Sequence, residues 1–391
     1  MNVTIQPGLL QGILSIIPSK SQAHRMLICA AFADKPTKIY CPETNRDMEA
    51  TTRCLSALGS DISWQDGWYQ VRPTLRVPQK AELFCQESGS TLRFLLPVVG
   101  ALGVDGVFHL EGRLPQRPLS PLWEELERMG CSLSRPTQDS VRCQGKLRCG
   151  QYTIDGSVSI QYISGLMMAL SLMQEPSALT ITGRIESKPY IAMTRQVLEL
   201  FGVSGDVLGG AALVSPRTLE VEGDWSNAAF FLAANALGSQ VEIQGLREDS
   251  CQGDRAVKAL LEELEHGCPR IDCSHIPDLV PILSVVAACK HGAVFQNIRR
   301  LRLKESDRVE AVVRMIRALA GHAEAQENAL TVHGTGLDGG SVDAFSDHRI
   351  AMSAAIAATV AKGPVTIMGA EAVEKSYPRF FQDFTALGGK L

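Results

Sequence analysis

The sequence predicts an α/β chain of two similar domains, each built of three repeated helix–strand–helix–hairpin units, and three observations carry that reading. A chain of 391 residues exceeds what one hydrophobic core usually serves, and roughly 150 residues per domain sets the starting count at two. A polar cluster opening a helix of small apolar residues recurs six times, about every 50 to 70 residues. Two kinds of helix alternate: one is apolar on nearly every face and belongs inside, the other is amphipathic and belongs at the surface.

The six openings fall at Ser19, Ser88, Ser157, Asp224, Ile276 and Ser346. They begin SKSQAHRMLICAAFA, SGSTLRFLLPVVGALG, SVSIQYISGLMMALSLM, DWSNAAFFLAANALG, IPDLVPILSVVAACKHG and SDHRIAMSAAIAATVAKG. A short β-branched strand follows each one, in order TKIYC, VFHLEG, ALTITG, QVEIQG, AVFQNI and PVTIMG, and then a polar loop. The amphipathic helices come next and stop at Gly, as in PLWEELERMG, TRQVLELFG, AVKALLEELEHG and VEAVVRMIRALAG, where Gly is expected to supply a left-handed C-terminal turn. A hairpin such as SLSRPTQDSVRCQG leads to the next unit, and the sixth unit is truncated. Three units with their apolar helices packed together make one domain, and six make two.

Composition narrows the function. Hydrophobic residues at 45% and charged residues at 20% describe a compact globular protein. The formal charge of -4 offers no global attraction to nucleic acid or anionic lipid, so neither is expected as a partner, and any anion site must be local. No apolar run approaches the roughly 18 residues of a membrane helix, and the first Lys is Lys20, past where the charge of a signal peptide sits. Eleven cysteines without a CxxC pair suggest neither a disulfide framework nor a zinc site, so reduced thiols in a cytoplasm are expected.

The informative anomaly is where the cations sit. Helix N-termini carry about half a positive charge and welcome anions, yet Lys20, Arg25, Arg93, His348 and Arg349 all lie in the first turns of the apolar helices. Cations accumulate there sensibly if each end holds an anion. A second group lies in GRLPQRPL, GRIESKPYI, LRLKESDRVE and EAVEKSYPRF. In KESDR, Lys304 and Arg308 share a face if the helix already runs there and repel unless something negative lies between them, while Glu305 offers Arg308 a plain helical salt bridge. Lys20, Arg25, Arg117, Lys304, Arg308, Arg349 and Lys375 together suggest a small polyanionic substrate, phosphorylated and carboxylated. No GxxxxGK[ST] loop, no GxGxxG after a strand and no carboxylate cluster spaced for magnesium accompanies them, which disfavours nucleotide hydrolysis and dinucleotide redox chemistry.

The segments PSKSQAHR, ESGSTLRFL, GRLPQRPL, DGSVSIQY, ESKPYI, HIPDLVP, LKESDR, DHRIAM and EKSYPRF, in this order across essentially the whole chain, resemble the EPSP synthase (3-phosphoshikimate 1-carboxyvinyltransferase) family. The resemblance implies an inside-out α/β barrel of two domains with buried parallel helices, joined by a two-strand hinge near Pro18–Lys20 and Glu222–Asp224 with the active site between them. Residues 1–18 with 223–391 then form a discontinuous domain and 19–222 an inserted one. It implies transfer of the enolpyruvyl group of phosphoenolpyruvate to the 5-hydroxyl of shikimate 3-phosphate, through a tetrahedral ketal phosphate, by a monomer without metal or organic cofactor. Asp278 is expected as base, Glu305 as acid, and Lys20 as touching both substrates. Phosphoenolpyruvate is expected on Lys20, Gly89, Arg117, Gln161, Arg308, Arg349 and Lys375, and shikimate 3-phosphate on Ser21, Arg25, Ser159, Gln161, Ser187, Tyr190, Asp278 and Lys304.

Three positions depart from the family pattern. Ile160 stands where many members have a second Ser, Arg300 where Asn is common near the shikimate phosphate, and Glu87 where Asn is common beside Gly89. The nearest rival is the enolpyruvyl transferase acting on UDP-N-acetylglucosamine, which carries a reactive Cys in the loop corresponding to GRLPQRPL; no Cys lies there. A noncatalytic phosphate-binding scaffold is the other alternative, against which Asp278 and Glu305 argue.

Overall fold

The computed structural model describes all 391 residues, and the chain divides into two compact units: Met1–Ile17 with Gly223–Leu391, and Pro18–Glu222. Six helices of the inserted unit are α1 (Lys20–Ala31), α2 (Arg46–Ala57), α3 (Gly89–Leu102), α4 (Leu122–Arg128), α5 (Ile160–Ser171) and α6 (Pro189–Leu200). Those of the discontinuous unit are α7 (Trp225–Ala236), α8 (Val257–His266), α9 (Val280–Cys289), α10 (Arg308–Ala318), α11 (His348–Ala358) and α12 (Phe380–Ala386).

In each unit the odd-numbered helices are buried around nearly their whole circumference, as their small apolar composition dictates. Each unit also has three sheets, and these lie outside the helices. Strand Lys80–Gln86 alternates exposed and buried residues, with Ala81, Leu83 and Cys85 turned inward, so one sheet face meets the helices and the other meets solvent. Buried helices within and sheets without make an inside-out α/β fold.

The connectivity repeats. Helix α3 lies between parallel strands Lys80–Gln86 and Asp105–Leu110, and a hairpin of Cys131–Ser134 and Ser140–Gly145 extends that sheet antiparallel. Helix α9 lies likewise between parallel strands Arg270–Asp272 and Ala293–Gln296, and the hairpin His322–Ala325 with Ala329–His333 extends theirs. The first repeat of each unit borrows its parallel strand from a distant segment. Thr37–Tyr40 pairs with Thr218–Glu220, and Gln240–Gln244 pairs with Gln11–Ser15. The N-terminal segment is therefore a structural strand of the discontinuous unit. Where the chain leaves one unit for the other, each unit closes its own end: Ser19 N–H donates to Glu222 O at 2.8 Å in one, and Asp224 N–H to Ile17 O at 2.9 Å in the other.

Side-chain caps set half of the helix starts. Ser88 Oγ accepts from Thr91 N–H at 3.2 Å and Asp224 Oδ1 from Asn227 N–H at 2.9 Å, so both openings expected at these residues hold. Three openings shift. Ser157 sits in a turn held by Asp155, which accepts its N–H at 2.7 Å, and the cap of α5 is Ser159. Ser346 takes a left-handed φ of 54°, which no N-cap adopts, and Asp347 caps α11 by accepting from Arg349 N–H at 3.0 Å. Ile276 and Asp278 occupy turns ahead of α9, which begins at Val280. Two helix ends also depart from the expected glycine turn. Gly267 is extended at φ 176°, and after α10 the left-handed residue is Ala320 at φ 59° rather than Gly321. No helix is long and apolar enough to cross a membrane.

Helices α3 and α5 approach closely at Gly165, where an added Cβ would lie 2.3 Å from Arg93 O and 3.1 Å from Phe94 Cα. Because the obstruction is helix backbone, a methyl group there must push the two helices apart. Gly165→Ala is expected to destabilise the protein by about 1–3 kcal/mol, the usual cost of overpacking a filled core, measured by urea unfolding at neutral pH. Unchanged stability would mean that the helices separate freely.

Candidate active site

In the discontinuous unit the ends of three elements converge on Arg308. This first residue of α10 is 1% exposed, and a guanidinium so buried must be paired on every side. Its Nη1 lies 2.7 Å from Asp278 Oδ1, its Nη2 2.8 Å from Glu305 Oε2, and its Nε 2.9 Å from Asp347 Oδ2. Ser306 Oγ donates to the same Asp347 oxygen at 2.9 Å.

Asp278 is shared further. Lys304 Nζ stands 3.3 Å from its Oδ1 and Arg349 Nη2 3.3 Å from its Oδ2, while Arg349 also donates to Ser226 Oγ at 3.1 Å. Three cations (Lys304, Arg308, Arg349) thus meet three carboxylates (Asp278, Glu305, Asp347) in one patch, with Arg308, Arg349 and Asp347 buried and the other three half-buried. Burial favours the neutral form of Asp278, but Arg349, Lys304 and Arg308 together outweigh it and hold the carboxyl well below its ordinary value. Burial pulls the Lys304 ammonium below its usual value although Asp278 opposes this, whereas Arg308 is held above its own by Asp347, Glu305 and Asp278 against the desolvation.

The expected repulsion between Lys304 and Arg308 is thereby resolved, though not on a helix face. Lys304 follows a 3-10 segment, Arg299–Leu303, and α10 begins only at Arg308; Asp278 lies between the two cations. The plain Glu305–Arg308 salt bridge exists, but as one arm of this network. Lys375 closes another 3-10 segment, Ala370–Lys375, and is half-buried.

In the inserted unit a second set collects at the openings of α1, α3 and α5. Lys20 Nζ pairs with Asp47 Oδ2 at 3.0 Å. Arg25 is 2% exposed; its Nε donates to Thr194 Oγ1 at 2.7 Å, its Nη1 to Ser21 O at 2.6 Å and its Nη2 to Ser164 Oγ at 2.9 Å and Tyr190 O at 3.4 Å. The guanidinium also rests 4.8 Å from the Phe94 ring centroid. Ser187, buried with φ 54°, lies just before α6, which carries Tyr190 and Thr194. Burial lowers the neighbouring His24 to about 3, so it stays neutral and takes no part as an acid at ordinary pH.

Gly89 opens α3 against two guanidinium groups: an added Cβ would lie 2.8 Å from Arg117 Nη1 and 3.0 Å from Arg93 Nη1. Arg93 Nη1 donates to Gln161 Oε1 at 2.8 Å, and Gln161 Nε2 to Ser90 Oγ at 2.9 Å, with Ser159 capping the helix that carries Gln161. The structure therefore assembles Gly89, Arg117 and Gln161 as one group, and Ser21, Arg25 and Tyr190 as another. It adds Arg93, Asp47 and Asp347, which were not among the expected site residues. Arg93 carried a signal, a cation in the first turns of an apolar helix; Asp347 carried only a cap-like position and Asp47 only a place in the first turn of α2.

An EPSP synthase (3-phosphoshikimate 1-carboxyvinyltransferase) family model matches residues 5–384. The chain belongs to this family. A 3-phosphoshikimate 1-carboxyvinyltransferase of Clostridium kluyveri is 35% identical over 418 residues, covering 100% of this chain and 98% of that protein. One from Clostridium perfringens is 36% identical over 420 residues, covering 100% and 99%. The solved EPSP synthase of Acinetobacter baumannii has the same fold, with a TM-score of 0.80 at 23% identity over 99% of this chain and 98% of that one.

Because the folded carboxyl of Asp278 lies well below its ordinary value of 3.8, its contribution to stability is complete above that value, begins to fall as pH drops below it, and is gone only below the depressed folded value. Urea unfolding followed from pH 7 down to pH 3 is expected to show a smaller acid loss for Asp278→Asn than for the parent. Parallel curves would show that the ion network does not couple this carboxylate to folding.

Proposed function

We propose that the protein transfers the enolpyruvyl group of phosphoenolpyruvate to the 5-hydroxyl of shikimate 3-phosphate and releases phosphate. Membership of the EPSP synthase family over residues 5–384 carries the reaction. The cation-ringed carboxylate Asp278 supports the assignment of roles.

Asp278 is ionised in the substrate-free protein, as a base must be, but a carboxylate surrounded by Arg349, Lys304 and Arg308 holds protons weakly. Substrate anions share those cations. As the carboxylate and phosphates draw on Lys304, Arg308 and Arg349, the field on Asp278 weakens and its affinity for a proton rises toward what the 5-hydroxyl demands. Asp278 then removes that proton as the oxygen attacks C2 of the enolpyruvyl group, and Glu305, which takes up a proton from solvent when the substrate anions draw Arg308 away from it, gives that proton to the methylene carbon, forming the tetrahedral ketal phosphate. Glu305 then takes a methyl proton back as the double bond re-forms, and Asp278 gives the hydroxyl proton to the departing phosphate, so both carboxyl groups return to their starting state. Arginine forks suit carboxylate and phosphate oxygens, which supports Arg117, Arg308 and Arg349, with Lys20, Gly89, Gln161 and Lys375, as the phosphoenolpyruvate set. The hydroxyl and amide groups of Ser21, Ser159, Gln161, Ser187 and Tyr190, with Arg25 and Lys304, suit the shikimate 3-phosphate set. Eleven cysteines without a CxxC pair support a reducing cytoplasm.

Asp278→Ala and Glu305→Gln are each expected to lower kcat by at least about 10²-fold in a phosphate-release assay with both substrates, the lower end for losing a general acid or base. A variant that keeps parental kcat would remove its residue from the mechanism. Lys375→Met is expected to weaken phosphoenolpyruvate by roughly 1.5–3 kcal/mol with little effect on shikimate 3-phosphate alone, read by calorimetry. Equal losses for both ligands would overturn that assignment.

A further inference from the structure

One hairpin of the discontinuous unit carries three exposed ligand groups that the enolpyruvyl chemistry does not use. His322 and Glu324 stand two residues apart on the edge strand His322–Ala325, and therefore on the same sheet face. The register sets His322 directly opposite His333 of the neighbouring strand Ala329–His333. Ala323, Leu330 and Val332 point the other way and are buried, so the alternation commits all three ligand residues to solvent. The two imidazoles stand 4.5 Å apart, and His322 Nε2 is 3.2 Å from Glu324 Oε1. One ligand atom from each of the three lies within 4.8 Å of the other two.

We propose that His322, Glu324 and His333 form a surface site for a divalent transition-metal ion of the zinc type. Two imidazole nitrogens and one carboxylate oxygen are a donor set that zinc accepts, whereas magnesium and calcium take six or more oxygens and gain nothing from the histidines. Tetrahedral bonds of about 2.0–2.2 Å put ligand atoms roughly 3.4 Å apart, so the trio closes on a metal by side-chain rotation alone. Three protein ligands leave the fourth position to water or an external donor. Two of the ligands lie on the edge strand and the third on its neighbour, so the ion would clamp an edge that otherwise has hydrogen bonds on one side only. The helix that packs beside this hairpin, α10, begins at Arg308, and its 11 residues span about 16 Å, which sets the clamp at the end of the helix remote from the ion network.

The test is titration of the reduced full-length protein with Zn²⁺ alone by calorimetry, with thermal unfolding in parallel. One saturable equivalent and a melting temperature that rises with Zn²⁺ concentration are expected, with no rise for Mg²⁺. In His322→Ala/His333→Ala both signals are lost, while kcat and the melting temperature in chelator stay at parental values. Glu324→Gln weakens the binding without abolishing it. A Zn²⁺ isotherm unchanged in the double variant would overturn the proposal and assign the metal to thiols such as Cys268. Absence of saturable binding in the parent, or an equal response to Mg²⁺, would overturn it as well.

Discussion

Arg308 is the residue on which the charged cluster of the discontinuous unit depends. A guanidinium at 1% exposure is tolerable only when its donors meet carboxylates in good geometry, and here they come from three separate stretches of chain. Asp278 precedes α9, Glu305 precedes α10, and Asp347 caps α11, so one buried charge ties the openings of the three elements together. Asp347 serves both the cap and the arginine, since its Oδ1 accepts from Arg349 N–H while its Oδ2 accepts from Arg308 Nε. Asp347 fixes where Arg349 leaves the helix, and Ser226 Oγ, accepting from Arg349 Nη2 at 3.1 Å, helps aim its guanidinium at Asp278.

The inserted unit orients its cations by a different means. Arg25 is clamped by hydroxyls of Thr194 and Ser164 and by backbone carbonyls of Ser21 and Tyr190, with Phe94 beneath it. Arg93 is set by Gln161 Oε1 and Pro118 O. In both cases the long side chain is ordered before any ligand arrives, so binding an anion does not require it to lose rotamer freedom at that moment. Gly89 completes the arrangement by leaving the space that a Cβ would take from the Arg93 and Arg117 guanidinium groups.

Much of the fold was legible because its signals are local. Ser88 and Asp224 cap the helices they announce, and each of the six β-branched runs forms a strand. Two of the three misread openings share a cause: a polar cluster holds several residues able to cap, and backbone conformation chooses among them. Ser346 lost to Asp347 because its own φ is left-handed, and Ser157 lost to Ser159 because Asp155 draws it into a turn. The glycine rule failed similarly after α10, where Ala320 takes the left-handed position one residue early.

The sequence by itself determined the repeat, the inward and outward helices, the family and the cations concentrated at helix openings, because periodicity, capping chemistry and motif order are properties of neighbouring residues. Only the tertiary structure decided which charges meet. Asp278 and Arg349 are far apart along the chain yet 3.3 Å apart in space, and no local pattern encodes such a pairing. The same holds for Arg93, whose burial against Gln161 follows from the close packing of α3 on α5 at Gly165. Electrostatic energy varies with separation and with burial, so whether a charge is a surface ornament or part of a site is settled when the helices pack.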